Sequence, residues 1–317
     1  MSRTEFSRAT KRCSETSLAF PLLVGRESRG KLMSRLQTLQ SVGGTWVEPE
    51  RVYHVTDPHT LTQAAGYLKF VLRSRGPILF RGQAQLHSPM LASLHRDVTT
   101  TSGYKKRETA FAKHLQAVRN QGAFIKNTPE YAQEALLQHY GIRTKWLDVV
   151  DNIWVALWFA CHEARMLERH QALYLHFARR RRPYPDNGER NFAHVVLIQA
   201  LDVAPVGDSP GLQRGKEAEV IDLRIAAPSL YIRPHAQHGL LIRKRNNPDL
   251  ESCDLAPLVV GVIRVEIGDA LDWLGRGDLL SVHSLFPPPH YDFGYRQLLQ
   301  AAPPLQKLLG GIHHVGA

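Results

Sequence analysis

Apolar and polar positions follow no regular period up to Trp46 and become periodic beyond it. Leu61, Ala64, Ala65, Leu68, Val71 and Leu72 recur at spacings of three and four, which predicts the buried face of a helix. Asp57-Pro58 supplies its start and Gly76-Pro77 its stop. The short apolar run Ile78-Leu79-Phe80 ends in Arg81-Gly82 and predicts a buried strand that delivers Arg81 at its exit. A second helix is signalled at Thr128-Pro129-Glu130, with Thr128 as N-cap and the proline in the first turn. It turns Tyr131, Ala135 and Leu136 inward and stops near Gly141. A third follows the capping pair Asp151-Asn152 and runs through Trp154, Leu157, Ala160, Cys161 and Ala164. Residues 153–161 are almost continuously apolar, which predicts the most buried helix of the chain.

Past this helix the period shortens. Residues 172–178, 194–201, 229–233, 239–243 and 258–267 are β-rich or alternating and predict strands. Residues 179–190 and 207–217 read as loops, and helices return at 269–274 and 291–309. No internal repeat is present. Helices first and strands later, without regular βαβ alternation, predict an α+β fold with N-terminal helices packed on a mixed, mostly antiparallel sheet. Residues 1–45 read as a flexible basic arm, 46–250 as the main domain, and 251–317 as a strand and helices completing that domain.

Composition narrows the class. At 317 residues, 43% hydrophobic and 22% charged, the chain suits a soluble globular protein of one large domain, or of one domain with a smaller appendage. No apolar run approaches the roughly 20 residues of a membrane-spanning helix, so no membrane partner is expected. Three cysteines, Cys13, Cys161 and Cys253, lie far apart, which argues against a disulfide scaffold and fits a reducing, cytoplasmic compartment. Lys and Arg number 40 against 29 Asp and Glu, a net charge of +11. Such a surface attracts polyanions: a nucleotide, nucleic acid or an acidic protein.

The common signatures are missing. No glycine-rich dinucleotide or P-loop sequence occurs, nor a nucleophile elbow or a zinc-protease helix motif. His235 and His238 stand three apart with no third ligand indicated, so no metal is expected. The densest charge cluster, Arg179, Arg180, Arg181 and Arg182, is a candidate phosphate contact for nucleic acid; a solvated basic loop is the plainer reading.

Three segments together resemble the FRG domain family, named for a Phe-Arg-Gly motif. The first is Phe80-Arg81-Gly82-Gln83, continuing to Ala92-Ser93-Leu94-His95-Arg96. The most specific runs from Leu137-Gln138-His139-Tyr140-Gly141 through Thr144-Lys145-Trp146-Leu147-Asp148 to Val155-Ala156-Leu157-Trp158-Phe159-Ala160. The third is Arg233-Pro234-His235-Ala236-Gln237-His238-Gly239-Leu240, and Ser284-Leu285-Phe286-Pro287 is similar to a C-terminal element of some members. The resemblance spans about residues 60–300. Lys145 stands where Arg is usual, Val149-Val150 replace Trp-Thr, and Leu240-Leu241 replace a late aromatic residue.

The family's layout is similar to that of ADP-ribosyltransferases, and this implies NAD as co-substrate. By that resemblance Arg81, His139 and Gln237 are the catalytic candidates. Arg81, Gly82, Gln83, His139, Tyr140, Thr144 and Asp148 are the candidates for holding NAD, with Arg81 as anchor and Asp148 orienting a neighbour. Gln237 occupies a position where Glu is more usual; an amide can bond a ribose hydroxyl but cannot act as a general base. Glu217 and Glu219 are the alternative carboxylates. The implied role is a toxin or phage-defence effector with a protein target or an antitoxin as partner.

Three readings therefore stand side by side. An NAD-using enzyme requires Arg81, His139 and Gln237 to converge in one concave pocket. A nucleic-acid-binding module requires a continuous basic stripe including residues 179–182. An interaction domain requires Arg81 to be buried against Asp148 with no cavity between them.

Overall fold

Strand β1 (Val52–His54) leads into helix α1 (Pro58–Leu72), which starts where the sequence predicts because Asp57 accepts the Thr60 amide at 2.8 Å. The computed structural model describes residues 52–316 apart from 88, 122–126, 170–171, 183–187, 246–248, 250, 278 and 302–307. The arm predicted at 1–45 lies outside the described residues. The chain continues through β2 (Ile78–Gln83), α2 (Thr101–Gln121), α3 (Glu130–His139), β3 (Leu147–Val150) and α4 (Ile153–Cys161). A hairpin follows, β4 (His162–Arg169) and β5 (Ala172–Arg179), then β6 (Phe192–Gln199), β7 (Ala204–Pro205), β8 (Leu212–Arg214) and β9 (Ala218–Asp222). Two short helices, α5 (Leu223–Ala226) and α6 (Arg233–Ala236), precede β10 (Gly239–Lys244) and β11 (Val259–Glu266). The last elements are α7 (Ile267–Trp273), α8 (Val282–Leu285), α9 (Phe293–Ala301) and β12 (His314–Gly316).

The result is α+β with a large mixed sheet ordered β1-β11-β6-β2-β3-β10-β9-β8-β7, antiparallel except at β1–β11. A smaller sheet, β12-β5-β4, stands apart from it. Helix α4 is the deeply buried one expected: Asn152 caps the amides of Trp154 and Val155, and seven of its nine residues are buried. It lies so close to β2 that a Cβ on Gly82 would come within 1.8 Å of the Ala156 carbonyl oxygen. Large fully buried side chains such as Trp146, Trp158 and Tyr231 sit around these elements, each contributing roughly 1.5–3 kcal/mol by the apolar surface it buries.

Several elements differ from the sequence pattern. Helix α4 stops at Cys161 and does not reach Ala164. His162 stacks on Trp158 with ring centres 4.0 Å apart, its Nδ1 donates to the Trp158 carbonyl at 2.7 Å, and the chain turns into β4. Residues 229–233 form no strand. The Tyr231 amide bonds the Pro228 carbonyl in a turn, and Pro234 in the first turn of α6 fixes helical backbone. Thr128 does not cap α3; Pro129 holds that position without a side-chain bond. The segment 207–217 contains β8, and the final helix begins at Phe293.

Candidate functional site

The C-terminal end of α3, the adjoining ends of β2 and β3, helix α4 and the small sheet enclose a cleft of about 380 Å³. Arg81, His139 and Gln237 all line it, together with Gly82, Tyr140 and Asp148. Gln83 and Thr144 do not. Thr144 is fully buried, and its amide and hydroxyl both donate to the Gln138 side-chain oxygen, at 3.0 and 3.1 Å.

One wall is a chain of polar groups. Arg81 is held in β2 opposite Val196, and its Nη1 donates to the backbone carbonyl of Asp148 at 2.6 Å, not to the carboxylate; its Nε is buried without a hydrogen bond. Burial and the neighbouring Arg96 lower its pKa to about 10 against the pull of Asp148, so it stays charged at neutral pH. The Asp148 carboxylate accepts from Gln138 Nε2 at 2.8 Å and lies 3.6 Å from His139 Nδ1. Burial alone would raise its pKa, but His139, Gln138 and Arg81 together hold it below the usual carboxylate range. It is therefore an anion that orients the imidazole. His139 Nε2 is buried and unbonded, and the ring fits only because residue 239 is glycine: a Cβ there would stand 2.7 Å from its Cε1.

Deeper in the cleft, the Tyr140 hydroxyl donates to Asp292 at 2.6 Å, and its ring packs beside Tyr231 and Tyr295. Asp292 is fully buried and also accepts the amides of Arg233 and Tyr295, at 3.1 and 2.9 Å. Gln237, at the end of α6, donates from Nε2 to the Leu285 carbonyl at 2.7 Å. Aromatic rings complete the lining. Phe177 and Phe286 stack at 4.4 Å, and Phe159 meets Phe286 edge-on at 6.1 Å. Arg233, Asp292 and this aromatic wall were not assigned to the site by sequence. Phe177 and Phe286 are more than a hundred positions apart, and only the small sheet brings them together.

The other expected groups lie elsewhere. Glu219 is buried and bonded to Arg214 and Arg243, and Glu217 pairs with Lys244 at 3.3 Å; neither lines the cleft. The basic run is broken up. Arg180 is buried and donates to the carbonyls of Ala160, Phe192 and Arg190, so it is withdrawn from any phosphate. Arg179 bonds the Gly275 carbonyl, and Arg182 stands 3.5 Å from Glu266. His238 is joined to Asp151 at 3.1 Å. Among the described residues no group of three or more His, Cys, Asp or Glu is placed to hold a metal, and no helix is long and apolar enough to cross a membrane.

Two guanidinium groups, one oriented imidazole, one carboxylate and an aromatic wall suit a ligand with an anionic group and a planar ring. The family model of the FRG domain matches residues 76–169, from β2 into the hairpin, and so covers Arg81, His139 and Asp148 but not Arg233 or Gln237. No curated protein and no solved structure matches the chain.

Proposed function

We propose, from the FRG domain matched at residues 76–169, that the cleft takes NAD and that the protein transfers its ADP-ribosyl group to an acceptor or to water, as an ADP-ribosyltransferase-like toxin or defence effector. The observation that carries this reading is the convergence of Arg81, His139 and Gln237, from three separate segments, on one cleft. The cleft beside Asp148 supports this reading over a purely architectural Arg81.

The chemistry follows from what each group can do. Cleavage of the nicotinamide–ribose bond leaves positive charge on the ribose, and a carboxylate held ionised stabilises it; Asp148 is the carboxylate on the cleft wall. His139, oriented by Asp148, takes the proton of the attacking acceptor or water. Gln237 bonds a ribose hydroxyl, and the aromatic wall takes a planar ring. Enclosure between the sheets fixes these groups relative to one another before the bond breaks.

The test is incubation of purified protein with adenylate-labelled NAD and cell lysate, following free nicotinamide and labelled macromolecules. Nicotinamide release that falls at least a hundredfold (about 2.7 kcal/mol of barrier) in His139→Ala supports the reading, and the labelled fraction gives the acceptor class. No turnover with lysate, DNA or RNA removes it.

A further inference from the structure

Arg233 is 3% exposed and lies on the cleft wall. Its guanidinium lies over the neighbouring rings of Tyr140 and Tyr295, 4.3 Å from each, with Phe286 at 5.3 Å. Of its five N–H donors, Nη1 makes one long bond of 3.4 Å to the His139 carbonyl, while Nε and Nη2 are buried with no hydrogen bond. The neighbouring carboxylate does not supply the missing partner. Asp292 is occupied by the Tyr140 hydroxyl and by two backbone amides. The Tyr295 hydroxyl is close enough for the Arg233 charge and a side-chain contact to pull its pKa down against burial, but it donates to the His313 carbonyl, accepts from the Val315 amide and gives neither Nε nor Nη2 a well-formed hydrogen bond.

A buried cation held against aromatic rings, on a residue that lines the cleft and has two donor atoms unbonded, is arranged for an anion that arrives from outside. Arg81 is less free, since its Nη1 already serves the Asp148 carbonyl. We propose that Arg233, and not Arg81, is the anion anchor of the cleft, and that the anion is a phosphoryl or diphosphate group carried by a molecule whose planar ring meets Phe177 and Phe286. Naming a diphosphate rests on the nucleotide reading of the cleft; the presence of an anion subsite does not.

Titration calorimetry of the full chain with two probes, inorganic pyrophosphate and ADP, tests this. The wild type is expected to bind both, ADP more tightly through its ring. Arg233→Lys keeps the charge but loses the planar fork, and is expected to weaken both by about tenfold or more. Arg181→Ala, on the exposed basic loop, is expected to change neither beyond about twofold. Absence of pyrophosphate and ADP binding to the wild type, or equal binding by a folded Arg233→Lys, overturns the proposal. Should that variant not fold, a crystal structure of the wild type with ADP decides. A phosphoryl oxygen on Arg233 Nε or Nη2 supports the anchor, and one on Arg81 with Arg233 unbonded overturns it. Arg233-dependent ADP binding without NAD cleavage would defeat the proposed reaction alone, and NAD cleavage undiminished in Arg233→Lys would defeat the subsite alone.

Discussion

Two buried arginines in this molecule have opposite surroundings. Arg180, at the root of the basic loop, places its guanidinium against three backbone carbonyls at 2.8–3.0 Å. Arg233, on the cleft wall, lies over two adjoining aromatic rings and makes one long bond of 3.4 Å. Both carry the same charge and are almost equally hidden, so neither burial nor charge separates them. The count of engaged donors does. Arg180 ties the end of α4 to the start of β6 with three of its five N–H donors, whereas Arg233 lines the cleft and engages one. A run of four arginines in the sequence drew attention to the first, and the fold directs it to the second.

The largest effect expected from breaking this contrast is on stability. Arg180→Ala removes the donor to three backbone carbonyls, that of Ala160 buried, and should cost about 3 kcal/mol or more, read by urea unfolding. If it costs less than about 1 kcal/mol, the loop arginine is not structural and the comparison fails. Gly239→Ala sharpens the functional side. The added methyl meets the tip of the His139 ring most closely, at 2.7 Å, and the Pro234 Cα at 3.3 Å. It should therefore cost only about 1 kcal/mol in stability while lowering NAD cleavage roughly tenfold or more, because His139 is displaced from Asp148. A stability loss with unchanged turnover would place His139 outside the chemistry.

A smaller effect is expected from pH. Asp148 is held below the ordinary carboxylate range in the folded chain, so it binds fewer protons folded than unfolded near its titration. Its contribution is present above the unfolded value of about 3.9 and is lost as the pH falls through the folded value. The stability gap between the wild type and Asp148→Asn should therefore narrow in acid, as measured by unfolding at neutral and acidic pH. A gap that widens on acidification would contradict the ionised role. The smallest effect belongs to the exposed end of the basic run. Arg182→Ala, facing Glu266 at 3.5 Å, should change stability by less than about 0.5 kcal/mol.

The contrast also marks what the sequence could convey. Elements set by neighbours along the chain were legible: Asp57 before α1, Asn152 before α4, and the apolar run of β2 ending at Arg81-Gly82. Elements decided by distant partners were not. The sequence pattern carries the helix on to Ala164, but residues 162–169 form β4 because β5 pairs with them along their whole length. The four-residue β3 is too short to show a period. Helix α2 has Tyr104, Phe111 and Val118 buried seven apart, a stripe too narrow to stand out from its charged faces. The site divides in the same way. Arg81, His139 and Asp148 fall in contiguous motifs, so resemblance found them. Arg233 was visible as a motif residue, but its role depends on Tyr295 and Asp292, about sixty positions further on, and on Tyr140, far before it.

The central claim is that one cleft grips NAD by its phosphates and cleaves it beside His139. Nicotinamide release from NAD by the purified wild type, followed in rising concentrations of ADP, tests it most directly. The prediction is measurable release that ADP inhibits competitively, raising KM while kcat stays constant. Release that ADP leaves untouched, or that it suppresses through kcat alone, would contradict a shared cleft, and no release with any acceptor would contradict the reaction itself.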